Sequence, residues 1–407
     1  MVVYQVKMQK SWQSNLTVLL FLVVKHNLSP GLCRGPTVGR GLPAQVVLEA
    51  LMSQRDNHAS VKIVNTISPA PRDAWEEVLQ SDPLALETQS PAWADAMCAA
   101  GGFEDASRLY ETADGRRLVL PLLRRSFAGG AVAFEASNPP NCGVGGLLAP
   151  GGAYVEEIAA VFDDLAQRRV LSQSVYPNPL LASAWAAAAP ACATAIPGRA
   201  HLLDLEGGWE EVWSKRFQSE SRKGARRAER RGVTVECGTS GQLVPEFYQL
   251  LEQEVARWAR LQHEPYWLAV RRLKHRDPRE KFEAVGRLLG ERCRVWLARV
   301  EGRPAAAIVV LQGVNAYDFR GAMDEELMQY RANDLLYRLA IEDACKAGCR
   351  YYYLGDSGWS VSLAQFKERF GAHAYPYSQY HLERLPLSRT EREIKKVIKW
   401  VIRFKDF

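Results

Sequence analysis

Four kinds of side chain in this 407-residue sequence have the chemistry and setting to act on a substrate. Asp356 follows the aromatic run Tyr351-Tyr352-Tyr353-Leu354 and one glycine, at the carboxyl end of a strand of the buried type. A carboxylate there can orient an amine or take its proton. A turn aspartate ahead of Ser357-Gly358 is the plainer alternative. Arg320 lies in Ala316–Met323, which reads as a strand, with Tyr317 three residues earlier. An arginine in so apolar a setting calls for a carboxylate partner or a ligand. Asp318 alternates to the strand face opposite Tyr317. Lys367 falls in a short helical segment, Leu363–Phe370, where it can equally be a surface lysine. From Lys215 to Arg231 there are eight Lys/Arg and two acidic residues, a net +6 that equals the formal charge of the whole chain. Arg222, Arg226 and Arg230 recur every four residues and so share one helix face. Guanidinium forks match phosphate oxygens, although a solvated helix face carries the same pattern. His263 and His373 read as loop or packing residues, and no Ser/His/Asp arrangement has local support.

The elements that must position these residues occur in two similar series. In the first, Val61–Ile67 reads as a strand, Ala74–Leu79 and Pro91–Ala99 as helices, and Arg108–Thr112 and Arg117–Leu123 as a hairpin around Asp114-Gly115. Val155–Gln167 has helical spacing, Val170–Tyr176 is strand-like, Ala182–Ala189 helical and His201–Leu205 strand-like. In the second, a helix over Trp209–Arg231 stops at Gly232 and Val233–Cys237 is a strand. Pro245–Gln262 and Glu280–Leu289 are helices. Arg294–Val300, Ala305–Leu311 and Ala316–Met323 form a meander turned at Glu301-Gly302. A helix over Ala332–Lys346, a strand over Arg350–Leu354, the Leu363–Phe370 helix and a strand over Tyr375–Leu382 follow. The matching order, with Asp114-Gly115-Arg116 and Glu301-Gly302-Arg303 at corresponding places, reads as a structural duplication.

Composition narrows the class. Hydrophobic residues at 47% and charged residues at 24% are those of an ordinary globular protein, and the length accommodates two domains. None of the eight cysteines forms a C-x-x-C pair, which removes the main support for a zinc or thioredoxin-like site, and their scatter suggests a reducing, cytoplasmic setting. Residues 1–60 read as a poorly ordered extension. Leu16–Val24 is too short to span a bilayer, no cleavage site follows it, and Met52 offers an alternative translation start.

Helix, strand, helix, strand after a three-stranded meander resembles the core of the GNAT fold. More particularly, three segments are similar to the FemAB-like branch of that superfamily, including the BioF-like acetyltransferase domains. These are Ser221–Val233, a basic helix ending in Gly-Val; Ala332–Tyr337 with the Tyr351–Ser357 strand end; and Gln365-Phe366-Lys367-Glu368-Arg369-Phe370-Gly371, like the family's F-K-x-x-F-G. The resemblance runs from about Asp204 to Arg384 and more loosely over Ile67 to Pro197. It implies an α+β (α/β) protein of two tandem GNAT-like domains, each a mixed, mostly antiparallel sheet flanked by helices. The first occupies residues 61–200, on the acceptor side, and the second 201–386, where acyl transfer takes place; 387–407 forms a basic amphipathic helix.

The resemblance also implies a reaction: an acyl or aminoacyl group moves from a thioester or ester to an amine by direct attack. Two strands splay to admit the donor, and Lys367 stabilises the charge on the tetrahedral intermediate. The helix starting near Arg331-Ala332-Asn333 would then turn its amides, with Arg331 and Asn333, toward an anion such as the phosphates of acyl-CoA. Met328–Asp334 contains no glycine, however, which departs from the glycine-rich loop usual ahead of this helix. Transfer from aminoacyl-tRNA onto peptidoglycan is the rival reading, and a non-catalytic GNAT-like binding protein is another. The expected partners are a small-molecule acyl donor and an amine acceptor, with tRNA admitted, DNA not, and no metal. In the tail, Ile394, Val397, Ile398, Val401, Ile402 and Phe404 lie along one side, and Lys395, Lys396, Lys399, Arg403 and Lys405 mostly along the other. Such a helix docks on the protein's own body or rests peripherally on an anionic membrane; the first is the favoured expectation.

Overall fold

Eight consecutive residues, Ala305–Gln312, carry no polar side chain until the last, and all eight are buried. A strand of that kind needs cover on both faces, and the rest of the chain provides it. The computed structural model describes residues 61–405 apart from Trp359. The expected extension over 1–60, its Leu16–Val24 run and the Met52 start lie outside the described residues. Ser60–Phe407 form one compact unit.

In chain order the first series comprises β1 (Ile63–Ile67), helix α1 (Arg72–Ser81), α2 (Pro91–Gly101), β2 (Glu104–Asp105), β3 (Arg108–Thr112), β4 (Arg117–Leu120), β5 (Leu123–Phe127), β6 (Val132–Ala136), α3 (Val155–Gln167), β7 (Ser172–Val175), α4 (Ala182–Ala188) and β8 (Thr194–Asp204). The second comprises α5 (Ser219–Arg230), β9 (Thr234–Gly238), α6 (Val244–Leu261), α7 (Tyr266–Arg276), α8 (Arg279–Leu289), β10 (Cys293–Val300), β11 (Arg303–Gln312), β12 (Ala316–Met323), α9 (Ala332–Lys346), β13 (Tyr351–Asp356), α10 (Val361–Glu368), β14 (His373–Glu383) and α11 (Leu387–Val401).

A mixed sheet of 11 strands in the order β2-β5-β6-β7-β14-β8-β13-β12-β11-β10-β9 runs through both series, and β1-β3-β4 form a small separate sheet. The two halves therefore share one sheet. Its continuity comes from β14, the last strand, which inserts between β7 of the first half and β8, antiparallel to both. Over β10–β12, one face packs against α2, α6 and α8 through Trp93, Phe247, Phe282 and Phe319. The other face packs against α9 through Leu336, Ala340 and Ile341. A third core joins α3 and α4 to β7 and β14 around Trp185 and Phe162.

Two local differences from the sequence reading have clear causes. The helix expected over Trp209–Arg231 is broken, because Phe217 is extended and buries its ring against Phe370, Trp209 and Trp213; α5 starts afresh at Ser219. Helix α7 has no apolar stripe to reveal it, since only Ala269 and Leu273 are buried. The tail is helical as expected. Among the described residues, though, most of its apolar stripe is uncovered: Ile394, Val397, Ile398 and Val401 are exposed, while Ile402 and Phe404, past its end, are half-buried. Docking on the protein's own body, the favoured expectation, is met at the two ends, where Ser388 bonds to Glu383 and the Lys405 amide to Gln262, and not along the stripe between them.

Candidate functional site

Strands β12 and β13 run parallel, but only Ala316↔Tyr352 and Tyr317↔Tyr353 pair. Beyond Tyr317 the two strands part. The register of β12 on β11 slips at the same place, so that Val310 faces Asp318 and Val309 faces Arg320, with Phe319 as the extra residue of a bulge. Bulges re-aim side chains. By plain alternation Arg320 belongs on the side of Asp318; the bulge turns it to the side of Tyr317 and Phe319. A cleft of ≈ 570 Å³ fills the gap between the strands, and Tyr317, Asp318, Arg320, Asn333, Asp356 and Lys367 all line it.

Lys367 projects from α10 into the end of β13. Its Nζ donates to the carbonyl oxygens of Gly355 at 2.9 Å and Asp356 at 2.7 Å. Gly355 has φ +73°, a conformation that favours glycine, and its carbonyl and the next one both reach the same ammonium. An ammonium has three hydrogens, so one is left for a ligand. Lys367 is 5% exposed, and burial lowers its pKa to about 8 against the pull of Asp318 and Asp356. Asp356 sits at the rim and accepts from the Tyr377 hydroxyl at 2.9 Å.

Asp318 is the acidic group deepest in the cleft. It is 8% exposed. Oδ2 accepts from Tyr337 of α9 at 2.5 Å, while Oδ1 is buried without a partner. Burial pushes the carboxyl up to about 6, against the Tyr337 hydrogen bond and the charges of Lys367 and Arg320. A half-satisfied carboxylate of that pKa is poised to accept a proton near neutrality. The sequence reading placed Asp318 on its correct face without giving it a role. An acid inside an otherwise apolar strand was the signal available.

Arg320 has the carboxylate partner its setting called for. It donates to Asp277 Oδ1 at 2.8 Å, and Asp277 also binds Lys281 and Arg276, each at 2.6 Å. These three cations hold the Asp277 carboxyl well below the usual carboxylate range despite its burial. One carboxylate for three cations leaves this wall positive. Both Arg276 and Arg320 line the cleft. The first half also lines the cleft, through Asn141, whose carbonyl accepts from Arg320 at 3.4 Å, and through Gly143, Val144 and Tyr176, none of which the sequence had marked as site residues.

Three expected residues lie elsewhere. Arg222 donates to the carbonyls of Trp213 and Ser214, and Arg226 stacks over the Trp213 ring. Arg331 is tied to Asp334 at 2.9 Å and Glu220 at 3.2 Å. Asn333, which does line the cleft, donates to Met323 Sδ at 3.1 Å. The turn before α9 and the Asp334 amide within its first turn use the chain's own carbonyls and carboxylates. The amides of Leu327, Arg331 and Asp334 bond to carbonyls within the segment, and that of Glu326 bonds to Asp324. The Asp334 carboxyl is buried there, and a Cβ on Gly224 of α5 would fall 2.7 Å from its Cγ. The Asp334 and Glu220 carboxylates that hold Arg331 count against a pyrophosphate at this helix start.

Comparison with known proteins fits this geometry. Residues 215–368 match the acetyltransferase (GNAT) domain family. No curated protein matches the chain by sequence. Among solved structures, FemX is similar at 13% identity and a TM-score of 0.50, covering 79% of this chain and 97% of that one. L-PGS from Bacillus licheniformis is similar at 13% identity and TM-score 0.46, covering 83% and 99%. A tandem GNAT protein from the clavulanic acid biosynthesis pathway is similar at 13% identity and TM-score 0.41, covering 78% and 97%.

Proposed function

We propose that this chain, which carries a GNAT-type acetyltransferase domain over residues 215–368, is an N-acyltransferase acting by direct attack of an amine on an ester or thioester in the β12–β13 cleft. The observation that carries the reading is the meeting of Asp318 and Lys367 where the strands part. In the forward step the amine nitrogen bonds to the acyl carbon and gives up a proton to Asp318 Oδ1. Negative charge gathers on the carbonyl oxygen, and the free hydrogen of Lys367 stabilises it in a site poor in water. The C–O or C–S bond then breaks, and the proton held by Asp318 passes to the leaving group. Positioning and charge stabilisation supply the catalysis, with no covalent enzyme intermediate.

Arg276 and Arg320 favour a substrate that brings an anionic group to their wall. Among donors, this supports an activated acyl group whose anion rests on these arginines rather than on α9. The test is transfer to a mixture of amines, followed by mass spectrometry, with acetyl-CoA, longer acyl-CoA and aminoacyl-tRNA as separate donors. Acylated product from wild type, lost in Asp318→Asn and in Lys367→Ala, supports the reading. Equal product from folded variants overturns it. Activity only with charged tRNA, abolished by ribonuclease, assigns the aminoacyl-tRNA rival, and no product with any donor favours a binding protein.

A further inference from the structure

Helix α11 starts against the end of β14, and the chain just past it returns to the end of α6. At its start Ser388 donates from both its backbone N and its Oγ to Glu383, each at 2.9 Å. Glu391, in the first turn and a half, is near enough to Tyr176 of the first-half wall to act on it electrostatically. Past the far end, the Lys405 amide bonds to the Gln262 carbonyl at 3.0 Å, just beyond α6. Trp258, one turn earlier on α6, lines the cleft. The 15 residues of α11 make about 22 Å of helix at 1.5 Å per residue.

This strap is held by its ends, and its apolar side is bare. Val397 is 60%, Val401 64% and Trp400 80% exposed. The α6–α7 corner that receives Lys405 is bare as well, with Trp267 at 66% and Tyr266 at 60%. Aromatic residues of this kind favour the boundary between lipid and water. The opposite side of α11 holds Arg389, Arg392, Lys395, Lys396 and Lys399, while the helix has only two acidic residues, Glu391 and Glu393. Two copies of this chain meeting through their α11 helices would bring like charges together. An anionic phospholipid surface accepts the apolar stripe and attracts the net positive charge of the helix.

We infer that α11, with Tyr266 and Trp267 of the neighbouring corner, seats the protein on an anionic phospholipid bilayer and so brings the cleft mouth to the membrane surface. This goes beyond the transferase reading and does not depend on it, because binding is measured without turnover.

The test is flotation of the full chain with vesicles of phosphatidylglycerol and phosphatidylcholine, against vesicles of phosphatidylcholine alone. Wild type should float with the anionic vesicles and remain below with the neutral ones, and recovery should fall as salt is raised. A Val397→Asp, Trp400→Asp double variant should lose at least tenfold in vesicle affinity with an unchanged melting temperature, since both side chains are exposed. The inference is overturned if wild type fails to float, or if the double variant floats as well as wild type, which would assign binding to another segment. It is also overturned if the chain is a dimer in solution that the variant splits, which would make the stripe a contact between copies.

Discussion

Replacing Asp318 with asparagine should make the protein more stable and nearly inactive at once. The carboxyl titrates at about 6 instead of the ordinary 3.8, because burial penalises its charged form. At 1.36 kcal/mol per unit, this difference is worth about 3 kcal/mol. The folded state holds the proton more tightly than the unfolded chain does. The ionised group therefore costs stability above about pH 6, and that cost fades between about pH 6 and pH 4, as the folded carboxyl takes its proton. Asparagine keeps an oxygen for the Tyr337 hydroxyl and never ionises. Because it also sets a buried amide or oxygen where Oδ1 has no partner, about 3 kcal/mol is an upper bound on the gain.

Two measurements follow from this. Urea denaturation of wild type and Asp318→Asn at about pH 8 should show the variant more stable, with the gap closing toward about pH 4. In the transfer assay, wild type should gain activity as the pH rises through about 6. The variant should be slower by about 10²–10⁴ and lack that limb. A variant that is less stable at the higher pH, or that keeps both its rate and the limb near 6, would refute the assignment of Asp318 as a buried base.

Other outcomes are equally open to measurement. Lys367→Ala should slow transfer by about 10²–10³, and the wild-type rate should decline above about pH 8 as the ammonium loses its proton; a flat alkaline limb would separate Lys367 from the chemistry. Arg320→Met leaves Asp277 with Lys281 and Arg276, so the fold should persist while KM for an anionic substrate rises about tenfold or more. Gly224→Ala should cost about 1–3 kcal/mol by overpacking α5 against Asp334, read from the urea midpoint. Acetyl-CoA should leave the melting temperature unmoved if the start of α9 is its only candidate phosphate site, and a clear upward shift would show that another part of the cleft holds the nucleotide.

What the sequence made legible follows from how local each feature is. Helix α9 was readable to the residue because its apolar face repeats at helical spacing and Gly348, at φ +80°, ends it. The meander was readable because its turn and its apolar runs are contiguous. The splay between β12 and β13 was expected only through resemblance, since nothing in either strand states how far they pair. The bulge at Phe319 was invisible: it is a slip of one strand against another, and it is what puts Arg320 over Asp277. The partners of that arginine lie 43 residues upstream on the turn between α7 and α8, where no motif marks them. The same applies to β14, whose insertion beside β7 turns two expected sheets into one.

The duplicated order of elements raises the question why only one half should act, and hydrogen-bond satisfaction answers it. In the first half, β6 and β7 are the parallel strands joined by a helix, the counterparts of β12 and β13. They pair over Phe134↔Ser172 through Ala136↔Ser174, and the seam continues as Ser137 receives the Tyr176 amide and gives its own to Ser174. Asn138 then closes the end: its oxygen accepts from Trp93 at 2.6 Å, and its amide donates to the carbonyls of Thr88 and Val144. Three of that side chain's four hydrogen-bonding positions are taken, and it is fully buried. In the second half the corresponding seam stops after two pairs, and the groups it leaves, Asp318 Oδ1 and one hydrogen of Lys367, have no partner among the described residues. A buried polar group without a partner costs stability. The fold carries that cost in the half that opens and avoids it in the half that closes, which agrees with the proposed reading that the first half shapes the cleft and the second does the chemistry.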